Sequence, residues 1–166
     1  MKRYFISILI FPSICFAQCK IDGALPDKNC TPGVVREATT ANDICTSGFT
    51  KTIRNVPESE KKKVYLEYNM TPNKSPCPCE VDHFISLVIG GDNTIKNLWP
   101  QPYSGQFGAR EKDKLENYYH RQICDKKITQ EQAIKEIRED WTKYYLLYGL
   151  DIKKGAVSND NYNEVD

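Results

Sequence analysis

Six cysteines placed behind an export signal constrain this chain more tightly than any other feature. Lys2 and Arg3 form a short positive region, residues 4–11 an apolar run, and Cys15-Phe16-Ala17 a small-x-small site before Gln18. That is the layout of a secretory signal peptide, and the run is too short to span a bilayer. Cleavage is expected after Ala17. A lipid anchor at Cys19 is the rival reading, and Gln18 is a poor residue to precede a lipidated cysteine. Cys15 leaves with the signal, so Cys19, Cys30, Cys45, Cys77, Cys79 and Cys124 remain. An even number of cysteines in an exported chain of this size predicts a disulfide framework. Zinc is the alternative, suggested by Cys77-Pro78-Cys79, but no second close pair follows to complete a structural site. Cysteines one residue apart bond each other with difficulty, so each of these two is expected to find a distant partner. The connectivity stays open.

Removing residues 1–17 leaves about 149 of the 166 residues, enough for a single domain with its own core. The mature chain carries 21 basic against 22 acidic side chains, a net charge near −1. A neutral total neither favours nor excludes nucleic acid, because local patches decide. One basic stretch exists, Lys51, Arg54, Lys61, Lys62 and Lys63, and it reads first as a solvated helix face. No other stretch is apolar enough to cross a membrane, so no stable membrane association is expected.

Residues 20–57 are rich in Pro, Gly, Asp, Asn and Thr and predict an irregular arm pinned by Cys30 and Cys45. Pro57 and Glu58 open a short helix to about Tyr68, with Val64, Tyr65 and Tyr68 on one side. The segment 71–76, Thr-Pro-Asn-Lys-Ser-Pro, breaks it. Residues 81–89 form a short apolar run bounded by Gly90-Gly91-Asp92-Asn93 and predict a strand entering a turn. A second extended piece follows over 94–99, stopped by Pro100 and Pro102. Helices are expected over 107–124 and from a capping box at Thr129 and Gln132 to Gly149. Ile134, Ile137, Trp141, Tyr144, Tyr145 and Tyr148 give the latter a core-facing stripe. Residues 153–166 read as a flexible polar tail and 18–152 as the domain.

Chemistry concentrates on the strand–turn–strand–helix segment. Asp82-His83, Gly90-Gly91 and Asn97-Leu98 stand there in order, followed by Trp99-Pro100. This arrangement resembles the HNH nuclease family, whose ββα-metal core places Asp-His near the end of its first strand. Downstream, residues 108–117 (Gly-Ala-Arg-Glu-Lys-Asp-Lys-Leu-Glu-Asn), Cys124 and Asp140-Trp141 resemble a branch of exported, cysteine-containing HNH-like endonucleases. The core resemblance covers residues 79–124 and the looser one most of the mature chain. It implies an α+β fold: a small ββα-metal core with flanking helices and a disulfide-stapled N-terminal arm.

Phosphodiester hydrolysis needs a base to deprotonate water and positive charge for the developing phosphorane and leaving oxygen. A histidine titrating near about 6.5 suits the first task, and a carboxylate holding a hard divalent ion suits the second. His83 is therefore the expected base and Asp82 the expected metal ligand. The resemblance makes Asn97 the residue that steadies the loop and His83. Adjacent residues on a regular strand face opposite ways, so sharing one site would take a bend, a β-bulge, or a phosphate flanked on both sides. Asp113, Glu116, Asn117 and His120 fall at i, i+3, i+4 and i+7 on one helix face, and any could reach the metal. Asp113 and Glu116 are preferred, then His120, against the bland reading of a solvated face with local ion pairs. The common closing His-x-x-x-His is missing. Arg110 and Lys112 are candidate phosphate contacts. The cofactor implied is one divalent ion, Mg²⁺ first, with Mn²⁺ or Zn²⁺ possible. The substrate implied is DNA before RNA, in the periplasm or secreted. The competing functions are a non-catalytic metal- or nucleic-acid-binding module on the same scaffold, and a disulfide-rich partner-binding protein.

Overall fold

A computed structural model describes residues 18–71 and 78–157, with side chains through residue 153. Residues 1–17, which hold the expected signal segment, Cys77 and residues 158–166 lie outside the described residues. The fold is α+β, with six helices and a two-stranded antiparallel sheet among the described residues. Helices α1 (Ala41–Ile44) and α2 (Phe49–Ile53) punctuate the N-terminal arm, and α3 (Glu58–Glu67) follows with Pro57 at its N-cap. Val64, Tyr65 and Tyr68 are buried, as the spacing predicts. Then come β1 (Cys79–His83), β2 (Leu98–Pro102), α4 (Ala109–Cys124), α5 (Gln130–Leu147) and α6 (Gly149–Val157).

The strands differ from the sequence expectation at both ends. The apolar run after His83 is not extended: Leu87–Ile89 is a 3₁₀ turn, as is Ile95–Asn97. Leu87 and Ile89 are apolar because the core takes them, not because they alternate along a strand. The second strand, in turn, runs through the two prolines expected to stop it. Phe84 N–H donates to Asn97 O (2.7 Å) and Tyr103 N–H to Pro78 O (3.1 Å) at the ends of the ladder. Hydrogen-bonded and non-bonded pairs alternate in an antiparallel ladder. Pro100 and Pro102, opposite Val81 and Cys79, thus occupy non-bonded pairs where no N–H is called for.

Between the strands, Gly90 has φ +96° and a Cβ on Gly91 would collide with the Ile85 carbonyl. Only this glycine pair lets the turn fold back onto Ser86, whose carbonyl accepts Gly91 N–H (2.8 Å). The arm adds a bridge from Val35 to Gly91 and covers the turn.

Helix α5 carries its aromatic stripe inward: Ile137 and Trp141 are fully buried, and Trp141 Nε1–H donates to Ala24 O (2.8 Å). Thr129 caps it by accepting Gln132 N–H, but the Gln132 side chain turns to Glu136, so only half of the expected capping box forms. The helix bends at Asp140, whose carboxylate accepts Thr142 and Lys143 N–H groups and recaps the second half. Helix α6 crosses the expected domain boundary at residue 152 and continues to Val157, with Ile152 buried.

Two disulfides staple the arm: Cys19–Cys30 locally and Cys45–Cys124 across 79 residues, from the end of α1 to the end of α4. Chain entropy alone gives the long loop about 4.5 kcal/mol and the short one about 3 kcal/mol. Cys79 is also disulfide-bonded. No helix among the described residues is long and apolar enough to cross a membrane.

Candidate functional site

Asn97 staples the turn. Fully buried, it accepts Ile85 N–H at Oδ1 (2.9 Å) and donates from Nδ2 to Ile85 O (2.8 Å) and Asp92 O (2.7 Å). Both sides of the Gly-Gly turn are thereby tied to the foot of β2, and His83 at the end of β1 is fixed in place. No bulge intervenes: Asp82 pairs with Trp99 and His83 with Leu98 in unbroken register.

His83 is 6% exposed. Its Nε2 lies 3.0 Å from Asn93 Oδ1. Asn93 donates from Nδ2 to Ile53 O (2.7 Å), and its Oδ1 also accepts Asn55 N–H (3.4 Å). Oδ1 is therefore the acceptor, Nε2 carries the hydrogen, and Nδ1 keeps the lone pair. Burial holds the imidazole below the ordinary histidine value, opposed by Asp82 and the Asn93 bond and assisted by Arg54 and Lys112. A neutral ring with a fixed tautomer is the form a general base needs.

On the α4 side, Lys112 is the centre. Its ammonium is fully buried and donates to Asp82 Oδ2 (2.8 Å), to the His83 carbonyl (2.7 Å) and to Glu116 Oε1. Burial acts to discharge it, but Asp82 and Glu116 more than compensate and hold it above the usual lysine value. Glu116 is displaced upward by its own burial, with Lys112 opposing. Lys112 thus meets Asp82 and Glu116 from inside and is not presented to a surface phosphate. Arg110, two residues earlier and so on the opposite side of α4, is exposed.

Outside this pair lies an acidic rim. Glu80 is pushed up to about 7 by burial and then by Asp82 and Asp113, with Lys112 opposing. Asp113, exposed as a residue, is raised by partial desolvation of its carboxyl and by Asp82, against Lys112 and Arg54. Paired positions in a sheet present side chains on the same face, so Glu80 and Asp82 share theirs with Gln101 and Trp99. The amide of Gln101 and the indole N–H of Trp99 are buried there with no hydrogen-bond partner among the described residues. The Glu80 and Asp82 carboxylates are the oxygen type that a hard cation takes one or two at a time. The indole N–H of Trp99 cannot ligate one, and Glu80, Asp82 and Asp113 do not close into a three-ligand cluster among the described residues.

His120 does not join the rim. Its Nε2 pairs with Ile44 O (2.9 Å) and lies 3.6 Å from Cys124 Sγ, at the far end of α4. Cys45, His120 and Cys124 could hold a metal ion: their ligand atoms lie within 4.8 Å of one another. With both sulfurs in the Cys45–Cys124 disulfide, neither is the thiolate a metal requires.

Of the expected site residues, the structure gathers Asp82, His83, Asn97, Asp113 and Glu116, and separates His120 from them. Asn117, on the same helix, is exposed. Sequence reasoning passed over Asn93, read only as a turn residue, and Arg54, read only as part of a basic run. Glu80 carried a signal, since it alternates with Asp82 on one strand face. A comparison with protein-family models, with curated proteins and with solved structures finds no match for this chain.

Proposed function

We propose that this chain is an exported, metal-dependent endonuclease of the HNH type that hydrolyses nucleic acid phosphodiesters, DNA before RNA. The observation that carries this reading is the neutral, tautomer-fixed His83 beside an Asp82 carboxylate clamped by Lys112. In this reading His83 Nδ1 takes the proton of the attacking water, and Asn93 holds the ring through Nε2–H. Asn97 keeps the turn from relaxing. Asp82, with Glu80 and Asp113 beside it, would hold one divalent ion, Mg²⁺ before Mn²⁺ or Zn²⁺. Such an ion supplies the positive charge that the phosphorane and the leaving oxygen call for. Arg54 and Arg110, both exposed, would meet phosphate in this reading and make binding salt-dependent and weakly selective for sequence. The disulfides fit an oxidising compartment, periplasmic or extracellular.

One observation favours a second reading. Lys112 already neutralises Asp82, so the scaffold is satisfied without a metal and a non-catalytic nucleic-acid-binding module would keep the same core. Plasmid cleavage by the oxidised mature protein separates the two. Metal-dependent cutting, abolished by EDTA and lowered about 10²- to 10⁴-fold in His83→Ala, is expected for the enzyme. A folded wild type that binds DNA and never cuts it would establish the binding module.

A further inference from the structure

Cysteine and imidazole meet at the C-terminal end of α4 in a way the disulfide alone does not require. His120 and Cys124 stand at i and i+4, so one helix face presents both, and Cys45 is brought to them from the end of α1. Nε2 of His120 is 3.6 Å from Cys124 Sγ, and the three ligand atoms lie within 4.8 Å of one another. Two sulfurs and one imidazole nitrogen gathered in this way are the donor set of a tetrahedral zinc-class ion. The neighbouring Ile44 carbonyl, 2.9 Å from Nε2, or a water would complete the fourth position.

We propose that Cys45, His120 and Cys124 form a redox-gated site for a soft divalent cation of the zinc class, open when the disulfide is reduced and closed when it forms. The inference is independent of the nuclease reading. Its chemistry balances with a dithiol as reductant. A thiolate of the dithiol attacks Sγ of Cys45, the more exposed partner, the S–S bond breaks, and the electron pair leaves on Cys124 Sγ. The second thiol resolves the mixed disulfide, frees Cys45, and leaves the reductant as a disulfide. Binding then displaces the protons of both thiols, and His120 gives up its bond to Ile44 as its ring proton moves from Nε2 to Nδ1, which frees the Nε2 lone pair for the ion. Oxidation by a disulfide reverses the steps and releases the cation. Because disulfide and ion would each tie Cys45 to Cys124, the ion would hold α1 to α4 while the disulfide is open.

Cobalt(II) titration of the reduced mature protein tests this, with Zn²⁺ as competitor. One equivalent should bring in the near-ultraviolet sulfur-to-cobalt absorption and strong visible bands of a tetrahedral site. Zn²⁺ should bleach both, and an oxidised dithiol should expel the ion. His120→Ala keeps the disulfide for folding and is expected to bind Co²⁺ more than about 100-fold more weakly, since losing even an outer-shell partner costs roughly 10- to 100-fold. Equal affinity in His120→Ala would overturn the proposal. So would an unchanged spectrum in Cys45→Ser/Cys124→Ser, which would place the ion on other thiols, or a reduced wild type with no tetrahedral signal.

Discussion

Replacing Lys112 with Met tests the interior of the candidate site most directly. The substitution keeps the stem and removes a charge that is fully buried and donates to Asp82, Glu116 and the His83 carbonyl. Breaking a buried ion pair from one side costs about 3–5 kcal/mol, because the remaining partner is stranded. Two features pull the expected value to the lower end. Asp82 keeps 22% side-chain exposure and can find water, while Glu116, at 7%, can escape only by binding a proton. Glu116 is already displaced upward by burial, and Lys112 is the main influence holding it down. In Lys112→Met its folded value therefore rises further above the unfolded one. An acid whose folded value is raised loses stability as pH rises beyond its unfolded value, so the deficit should grow from pH 5 to pH 8. Urea denaturation at both pH values should show a loss of about 3 kcal/mol at pH 8 and less at pH 5, with the slope against urea unchanged. Adding Glu116→Gln should recover part of the loss and flatten its pH dependence. A deficit below about 1 kcal/mol, the same at both pH values, would refute the reasoning and place Lys112 in solvent.

Asn97→Ala leaves one N–H and two carbonyls of the turn without their partner, and should cost about 3–5 kcal/mol by urea denaturation; a loss under about 1 kcal/mol would mean that the turn holds itself. For His83, whose folded value is lowered, the unfolded chain takes the proton first, so its contribution to stability is present above pH 6.5 and fades below it. The acid limb of kcat/KM for DNA cleavage should accordingly fall below pH 6.5, and a limb above that value would sink His83 as the base. Asn93→Ala removes a bond that favours the charged ring, so it should move the limb to still lower pH while reducing kcat by at least about tenfold.

The fold was legible where local rules act alone. Pro57 and Thr129 mark helix starts, Val64 and Tyr65 or Ile137 and Trp141 mark buried faces, and Gly90-Gly91 marks a turn no other pair could make. It was illegible where burial mimics a pattern. Phe84, Ile85, Leu87 and Ile89 are apolar because the arm and α4 enclose them, and a continuous apolar run does not distinguish a strand from a 3₁₀ turn. Pro100 and Pro102 misled for the opposite reason. Strand prolines are destructive only where a ladder N–H is needed, and their spacing of two puts both on the side that needs none.

The site divides along the same line. Asp82, His83 and Asn97 sit within one hairpin, so their order in the sequence is nearly their order in space. The contribution of α4 depends on which face it turns inward. Grouping Asp113, Glu116, Asn117 and His120 chose one face, whereas the buried stripe is Lys112, Leu115, Glu116, Tyr119 and Ile123. Only Glu116 belongs to both. A lysine heading an apolar stripe, with a glutamate four residues on, was itself the available signal: burial of that face forces the pair to meet, and the pair needs a further anion to justify its desolvation. That anion is Asp82. The strand motif therefore carries two demands at once, the proposed base on one residue and a counter-charge for α4 on its neighbour. Facing opposite ways along the strand, Asp82 and His83 meet both without a bulge, and in the proposed enzyme they would flank the scissile phosphate from either side.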